Sequence, residues 1–319
     1  MDKIKIITVV GPTASGKTSL SIKICKDFNG EIISADSMQI YKDMDIATAK
    51  PDLVEMDGVT HHLMGFLEPD KTYSVAQFVH DAKEAAITIS SEGKTPVVAG
   101  GTGLYVDNLV DGTVFTDGET DLRLRSELFE RYNNEGIEVL LEELGKIDRE
   151  SYEKLSLQIN PKRIIRALEV YYSTGITQTE QNKLSKSQES VFNATQIALD
   201  FRDREVLYQR INERVDIMLE KGLLDEAREF YNNSFSNTAV QAIGYKELKP
   251  YLDGEVSLEF AIESLKRSTR RYAKRQLTWF RRNPDIRWFF VDDYSDNDEL
   301  YTSVRDYLIS KGFENNAKE

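Results

Sequence analysis

The sequence predicts an α/β protein: a P-loop (kinase-like), doubly wound parallel sheet with an inserted all-helical domain. Three observations carry that prediction. Over the first hundred residues, short apolar runs rich in β-branched residues alternate with stretches of helical periodicity, the βαβ pattern of a parallel sheet. A glycine loop, GPTASGKT (11–18), stands between the first apolar run and the first helical stretch. From about 119 to 190 the sequence turns helical and polar without a strand candidate, and strand character then returns.

IKIITVV (4–10) reads as a buried parallel strand. KTSLSIKICKDF, from Lys17, has apolar residues at helical spacing and stops at Asn29-Gly30. EIISA (31–35) is the second strand, 74–91 is helical, and TPVVAGG (95–101) is the third strand. ETDLRLRSELFERYNNEG, IEVLLEELGKID and NPKRIIRALEVYYSTG supply the helices of the insertion, and SKSQES (185–190) reads as its returning linker. TQIALDF (195–201) and IRWFFVD (286–292) resume the sheet. The expected domains are therefore 1–118 with 191–319, ending in a basic helical segment, and the insertion 119–190. The tail beyond about 312 is expected to fray.

Hydrophobic residues are 40% of the 319 and charged residues 30%, enough apolar material for a substantial core. No apolar run approaches the roughly 20 residues a membrane helix needs, and the start reads as a strand rather than a signal peptide. Cys25 is the single cysteine, which excludes an internal disulfide framework; with three histidines it also argues against a Cys/His zinc site. A reduced, cytoplasmic protein is expected. The net charge of −13 argues weakly against a nucleic-acid partner, but phosphate contacts are local. KRSTRRYAKRQLTWFRR (266–282) contains no acid, so an acidic chain carries one dense basic stripe.

Gly11, Gly16, Lys17 and Thr18 fit G-x-x-x-x-G-K-[ST] between a strand and a helix. Glycines let backbone N–H groups turn toward a phosphate, the helix adds its N-terminal dipole, Lys17 adds a point charge and the Thr18 hydroxyl is placed for Mg²⁺. The loop specifies phosphate, not nucleotide. The strand at 95–99 runs into AGGTGLY rather than ending in the Asp that assists magnesium in NTPases. Asp36 lies just past the carboxyl end of the second strand, the edge where ligands sit in open α/β sheets. A carboxylate there can be a magnesium ligand, a general base or a helix cap. Thr102 suits a phosphate or a turn. Arg123 and Arg125 read as solvated, and adjacent His61 and His62 as structural. Trp279 and Phe280 suit base stacking or anchoring of a helix.

Six stretches together resemble the bacterial tRNA dimethylallyltransferase (tRNA isopentenyltransferase) family: GPTASGKT (11–18), ISADSMQIYKDMDIATAKP (33–51), VVAGGTGLY (97–105), NPKRIIRALEVY (160–171), QAIGYKEL (241–248) and TRRYAKRQLTWFRR (269–282). The resemblance implies that the loop, through Gly11 and the N–H groups of Thr13, Ala14, Ser15, Gly16, Lys17 and Thr18, grips the diphosphate of dimethylallyl diphosphate. With Mg²⁺ it would stabilise the leaving group while the allylic carbon passes to N6 of adenosine 37 of tRNA. It implies Asp36 as general base, with Lys17, Thr102 and Arg123 as further catalytic groups. Asp36, Ser37, Met38 and Gln39 would line the passage to the flipped adenine, with Thr102 and Arg123 nearby. Lys162, Arg163 and Arg166 in the insertion would contact tRNA, as would Gln241, Gly244, Tyr245 and Lys246. So would Lys274, Arg275, Gln276, Trp279 and Arg281 in the basic stripe. Gln241 and Lys246 stand where some family members carry arginine. A monomer is expected, and ATP stays open as another occupant of the loop.

Three other readings compete. A P-loop small-molecule kinase has no use for the basic aromatic stripe. Neither has a prenyltransferase acting on free adenine nucleotides. A non-catalytic nucleic-acid-binding module leaves the loop and Asp36 unexplained.

Overall fold

The computed structural model describes residues 3–115, 122–185, 189–232 and 238–315. The chain forms two compact units, Met1–Val110 with Val191–Glu319, and Asp111–Ser190. The boundary expected at 118/119 lies within 116–121, outside the described residues, and the units divide eight residues earlier. The linker expected at 185–190 is described except for 186–188.

The first unit is built on a parallel sheet. Its strands are β1 (Ile4–Val10), β2 (Gly30–Ser34), β3 (His61–His62), β4 (Thr95–Gly100), β5 (Phe192–Asp200) and β6 (Arg287–Phe290), in the order β3-β2-β4-β1-β5-β6. Register follows the apolar residues: Ile7 pairs with Val97 and Val9 with Ile197. Alternation along β1 sends Ile7 and Val9 to one face, where α1 (Lys17–Asp27) and α14 (Asn297–Ser310) cover them through Ile24, Phe28, Val304 and Leu308. Phe313 is buried in the same cluster and meets Phe28 edge-on. The chain is thus packed one residue past the point where fraying was expected to begin, because an aromatic ring there covers the end of α1. On α3 (Val75–Ser91), opened by a Ser74 capping box, Phe78 stacks on Tyr105 of α4 (Gly103–Val110) at 4.2 Å.

From β1 the chain moves toward one edge of the sheet, and after β4 toward the other. The carboxyl ends of β1 and β4 therefore mark the switch point where ligands bind in such sheets. Over this end lies a helical layer that the strand-based reading did not separate: α10 (Arg204–Glu220), α11 (Leu223–Asn232), α12 (Tyr245–Leu252) and the 23-residue α13 (Leu258–Phe280), all between β5 and β6. Its apolar side packs on 38–47 through Tyr41, Met44, Val215, Phe230 and Leu265. Ala14, Leu207, Ile211, Ala273 and Leu277 pack the phosphate loop against α10 and α13.

The second unit is helical: α5 (Leu122–Glu135), α6 (Ile137–Ile147), α7 (Arg149–Ser156), α8 (Pro161–Thr174) and α9 (Gln178–Ser185). Leu140, Leu144, Ile164 and Leu168 form its core. Asn160 caps α8, Pro161 opens it and Gly175 closes it in the left-handed conformation.

Candidate active site

The loop after β1 has the geometry its sequence requires. Gly11 (φ 141°) and Gly16 (φ 94°) occupy left-handed backbone, and a Cβ on Gly11 would stand 2.5 Å from the Leu199 carbonyl oxygen. Gly16 opens α1 without a side-chain cap, which leaves the first-turn amides facing outward for an anion. Lys17 Nζ donates to the Pro12 carbonyl at 2.7 Å and Arg210 Nε to the Ala14 carbonyl at 3.0 Å. Thr13 corrects the expectation that every amide from 13 to 18 faces a phosphate. Its N–H is taken by Gln276 Oε1 at 2.9 Å.

The loop forms one wall of a cleft of about 1170 Å³ that also holds Asp36, Arg214, Tyr272 and Arg275. Burial and the nearby Arg214 charge pull the Lys17 ammonium down to about 7, with Asp36 opposing. Burial likewise lowers Arg214, again against Asp36. The cleft therefore concentrates cations that an anionic ligand would relieve. Arg210 and Arg214 were missed in the sequence. They sit four apart on α10, on the side facing the cleft, and that spacing was their only signal.

Asp36 sits just past β2. Its Oδ1 accepts from the backbone N–H of Met38 (2.9 Å) and Gln39 (3.4 Å), so it closes its own turn; it is not a helix cap, because 37–40 is a turn and the next helix opens at Leu53 behind Asp52. Its Oδ2 takes no hydrogen bond among the described residues and remains for a ligand. Thr102 is placed on this turn rather than at the phosphate loop: Oγ1 accepts from Ser37 N at 3.0 Å and donates to Ser37 Oγ at 3.3 Å. Gln39 Nε2 holds the carbonyls of Thr48 and Ala49. Asp36, Ser37, Met38 and Gln39 all line the cleft, as do Gln241, Gly244 and Lys246.

Other residues singled out in the sequence are placed differently. Tyr245 is buried, not on a surface: its ring stacks on Phe230 at 4.1 Å and its hydroxyl donates to Glu226. Gln276 is 5% exposed and bonded inside the unit. Trp279 Nε1 donates to Asp107 at 2.7 Å, and a Cβ on Gly103 would meet the indole at 2.1 Å, so the ring anchors α13 to α4. Arg281 pairs with the fully buried Asp200 at 2.7 Å. Arg267, Arg271, Lys274 and Arg275 are exposed on α13 without ion-pair partners among the described residues. In the helical unit, Lys162 and Arg163 are exposed. Arg166 and Arg125 flank the buried Glu169 at 3.2 and 3.6 Å, which ties Arg125 into the unit rather than leaving it solvated. Arg123 is 89% exposed and pairs with Glu127. The adjacent histidines are tied into the fold: His62 Nε2 lies 2.6 Å from Glu31, and His61, at the cleft, has Nδ1 2.9 Å from the Val59 carbonyl oxygen.

A phosphate loop, a carboxylate with one oxygen unengaged and a basic helix on one cleft narrow the possibilities, and likeness to known proteins decides among them. Residues 39–283 match the model of the IPP transferase family. This chain belongs to the IPP transferase family. It is 45% identical to the tRNA dimethylallyltransferase of Thermoanaerobacter sp. (strain X514) over 311 residues, covering 97% of this chain and 98% of the relative. The full-length tRNA isopentenylpyrophosphate transferase of Bacillus halodurans has a similar crystal structure (TM-score 0.72, 43% identity, 97% of each chain). So has a eukaryotic dimethylallyltransferase captured acting on tRNA (TM-score 0.80, 31% identity, 98% of this chain and 81% of that one). In this member of the IPP transferase family the phosphate-type loop and Asp36 line the same cleft.

Proposed function

We propose that this chain transfers a dimethylallyl group from dimethylallyl diphosphate to N6 of adenosine 37 of tRNA, releasing diphosphate. The observation that carries the chemistry is the shared cleft of Lys17 and Asp36, read together with family membership. The donor's diphosphate would lie against the loop amides, Lys17 and the guanidinium of Arg214. These groups favour the charge that gathers on the departing oxygens as the allylic C–O bond breaks. The bond electrons leave with diphosphate, the N6 lone pair forms the new C–N bond, and the N6 proton passes to Asp36 Oδ2. Adenine N6 is a weak nucleophile because its lone pair is delocalised, so a base in hydrogen-bond reach counts, by about 10²–10⁴-fold. The adenine must leave its stack to enter the cleft.

The donor set suits Mg²⁺ held mainly by substrate. Thr18 offers an exposed hydroxyl at the loop, and no group of three His, Cys, Asp or Glu able to hold a metal exists among the described residues. Mg²⁺ commonly binds through one or two protein oxygens plus phosphates and water, and Thr18 is the residue that would hold it. When bound, it would neutralise leaving-group charge.

Arg267, Arg271, Lys274 and Arg275 supply phosphate contacts for tRNA, and Lys162 and Arg163 supply more from the helical unit. We take the protein to act as a monomer in the cytoplasm. No helix among the described residues is long and apolar enough to cross a membrane. The reading is tested by incubating labelled dimethylallyl diphosphate with unmodified tRNA and, in parallel, with AMP. Label on tRNA alone, lost when adenosine 37 is replaced, is the expected result. Label on AMP would instead make this a free-nucleotide prenyltransferase.

A further inference from the structure

We propose that Gln276 is a positioning residue that holds the phosphate loop in its binding conformation, rather than a contact to RNA. The proposal rests on reading the cleft as the donor site. Gln276 lies in the most basic run of the chain, yet its side chain turns inward and is 5% exposed. Oε1 accepts from the backbone N–H of Thr13 at 2.9 Å, and Nε2 donates to the carbonyl of Gly101 at 3.0 Å. One partner can only donate and the other can only accept, so the amide has a single satisfied orientation.

These two bonds join the loop after β1 to the loop after β4, with α13 as the third body. The fit leaves no slack: a Cβ at Gly101 would stand 2.0 Å from Nε2. Pro12, next to Thr13, is the residue whose carbonyl anchors Lys17 Nζ, so a displaced Thr13 displaces the anchor of the loop lysine. Tyr272, one turn earlier on α13, has its hydroxyl against Thr102 and Gln276, and Thr102 holds the Ser37 amide beside Asp36. A continuous set of contacts thus runs from the phosphate loop through Gln276 to the turn that carries the candidate base. The residue acts on the reaction through the groups it holds.

Calorimetry with dimethylallyl diphosphate, alongside tRNA binding, tests this on Gln276→Leu and Gln276→Glu. The leucine variant leaves the Thr13 N–H and the Gly101 carbonyl unpaired. Its donor Kd is expected to rise about tenfold or more while its tRNA Kd stays within twofold of wild type. The glutamate variant separates positioning from packing. A neutral carboxyl reproduces both bonds, its carbonyl oxygen accepting from Thr13 and its O–H donating to Gly101. An ionised one sets a negative oxygen against the Gly101 carbonyl. Its donor affinity relative to wild type is therefore expected to be near unity in acid and to fall as pH rises above about 4.3, the ordinary glutamate value, shifted upward by burial. A raised tRNA Kd with unchanged donor Kd in either variant would make Gln276 an RNA contact and overturn the proposal. So would a donor defect in Gln276→Glu that is the same at every pH. If wild-type protein binds the donor yet transfers nothing to tRNA, the proposed reaction fails while the Gln276 test still reads out on binding.

Discussion

In the proposed reaction two residues carry the chemistry, Asp36 and Lys17, and their surroundings differ. Asp36 uses one oxygen to close its own turn and leaves the other to the cleft. Asp36→Asn keeps an oxygen for the Met38 amide but removes the base. Single-turnover prenyl transfer by this variant is expected to fall by about 10²–10⁴-fold, with tRNA affinity measured by filter binding unchanged; a near-normal rate would remove Asp36 as the base. Lys17 titrates at about 7 in the free site, and a bound diphosphate must raise that value. Below about 7 the lysine is already charged, so its linkage is silent. Above 7 the empty site has lost the proton, so binding takes one up and affinity declines with rising pH. Titrations of diphosphate at pH 8 in two buffers of different ionisation enthalpy should show proton uptake, absent in Lys17→Met. Uptake that persists in the variant would place the proton elsewhere. The Gly11–Thr18 motif was legible in the sequence, because its spacing is the structure. Arg210 and Arg214 were not: two arginines on an amphipathic helix look like any solvated pair until the loop is seen packed against them.

Among the elements, α13 shows how a basic stripe divides once folded. Its sequence reads as one RNA-binding surface, but a helix buries part of any continuous run. Gln276 and Phe280 turn inward and Trp279 is anchored to Asp107, while Arg281 beyond its end pairs with Asp200. Arg271 and Arg275 remain outside. Replacing both with Gln should flatten the slope of log K against log salt for tRNA binding by about 0.7–0.9 for each phosphate no longer neutralised. Arg281→Ala should leave that slope unchanged and destabilise the fold, on the order of 1–3 kcal/mol, by leaving the buried Asp200 carboxylate without its shorter partner. Chemical denaturation of Arg281→Ala and salt-dependent binding of both variants check the division; a slope change in Arg281→Ala would return Arg281 to the RNA surface. The longer strands were legible because each is a bounded apolar run of parallel-sheet length. β3 was not, since two residues have no period, and the α10–α13 layer hid in helical text that comes after a strand and carries no mark of where it packs.

Across the whole molecule, a net charge of −13 is compatible with a polyanionic partner because phosphate contacts are local, and Arg267, Arg271, Lys274 and Arg275 stand exposed together on α13. The division of the chain near 111 also escaped the sequence: keeping 1–118 with the sheet places α4 correctly, but the residues just after α4 carry no periodicity that marks where the sheet unit ends. In the proposed reaction a kinase-like loop serves a leaving group rather than a nucleotide. The most direct measurement is the product balance of the wild-type reaction with dimethylallyl diphosphate, unmodified tRNA and Mg²⁺ in the absence of ATP. The expected result is one diphosphate released per prenyl group transferred, and loss of both in Lys17→Ala. Transfer that requires ATP, or that proceeds at the wild-type rate without Lys17, would contradict that claim.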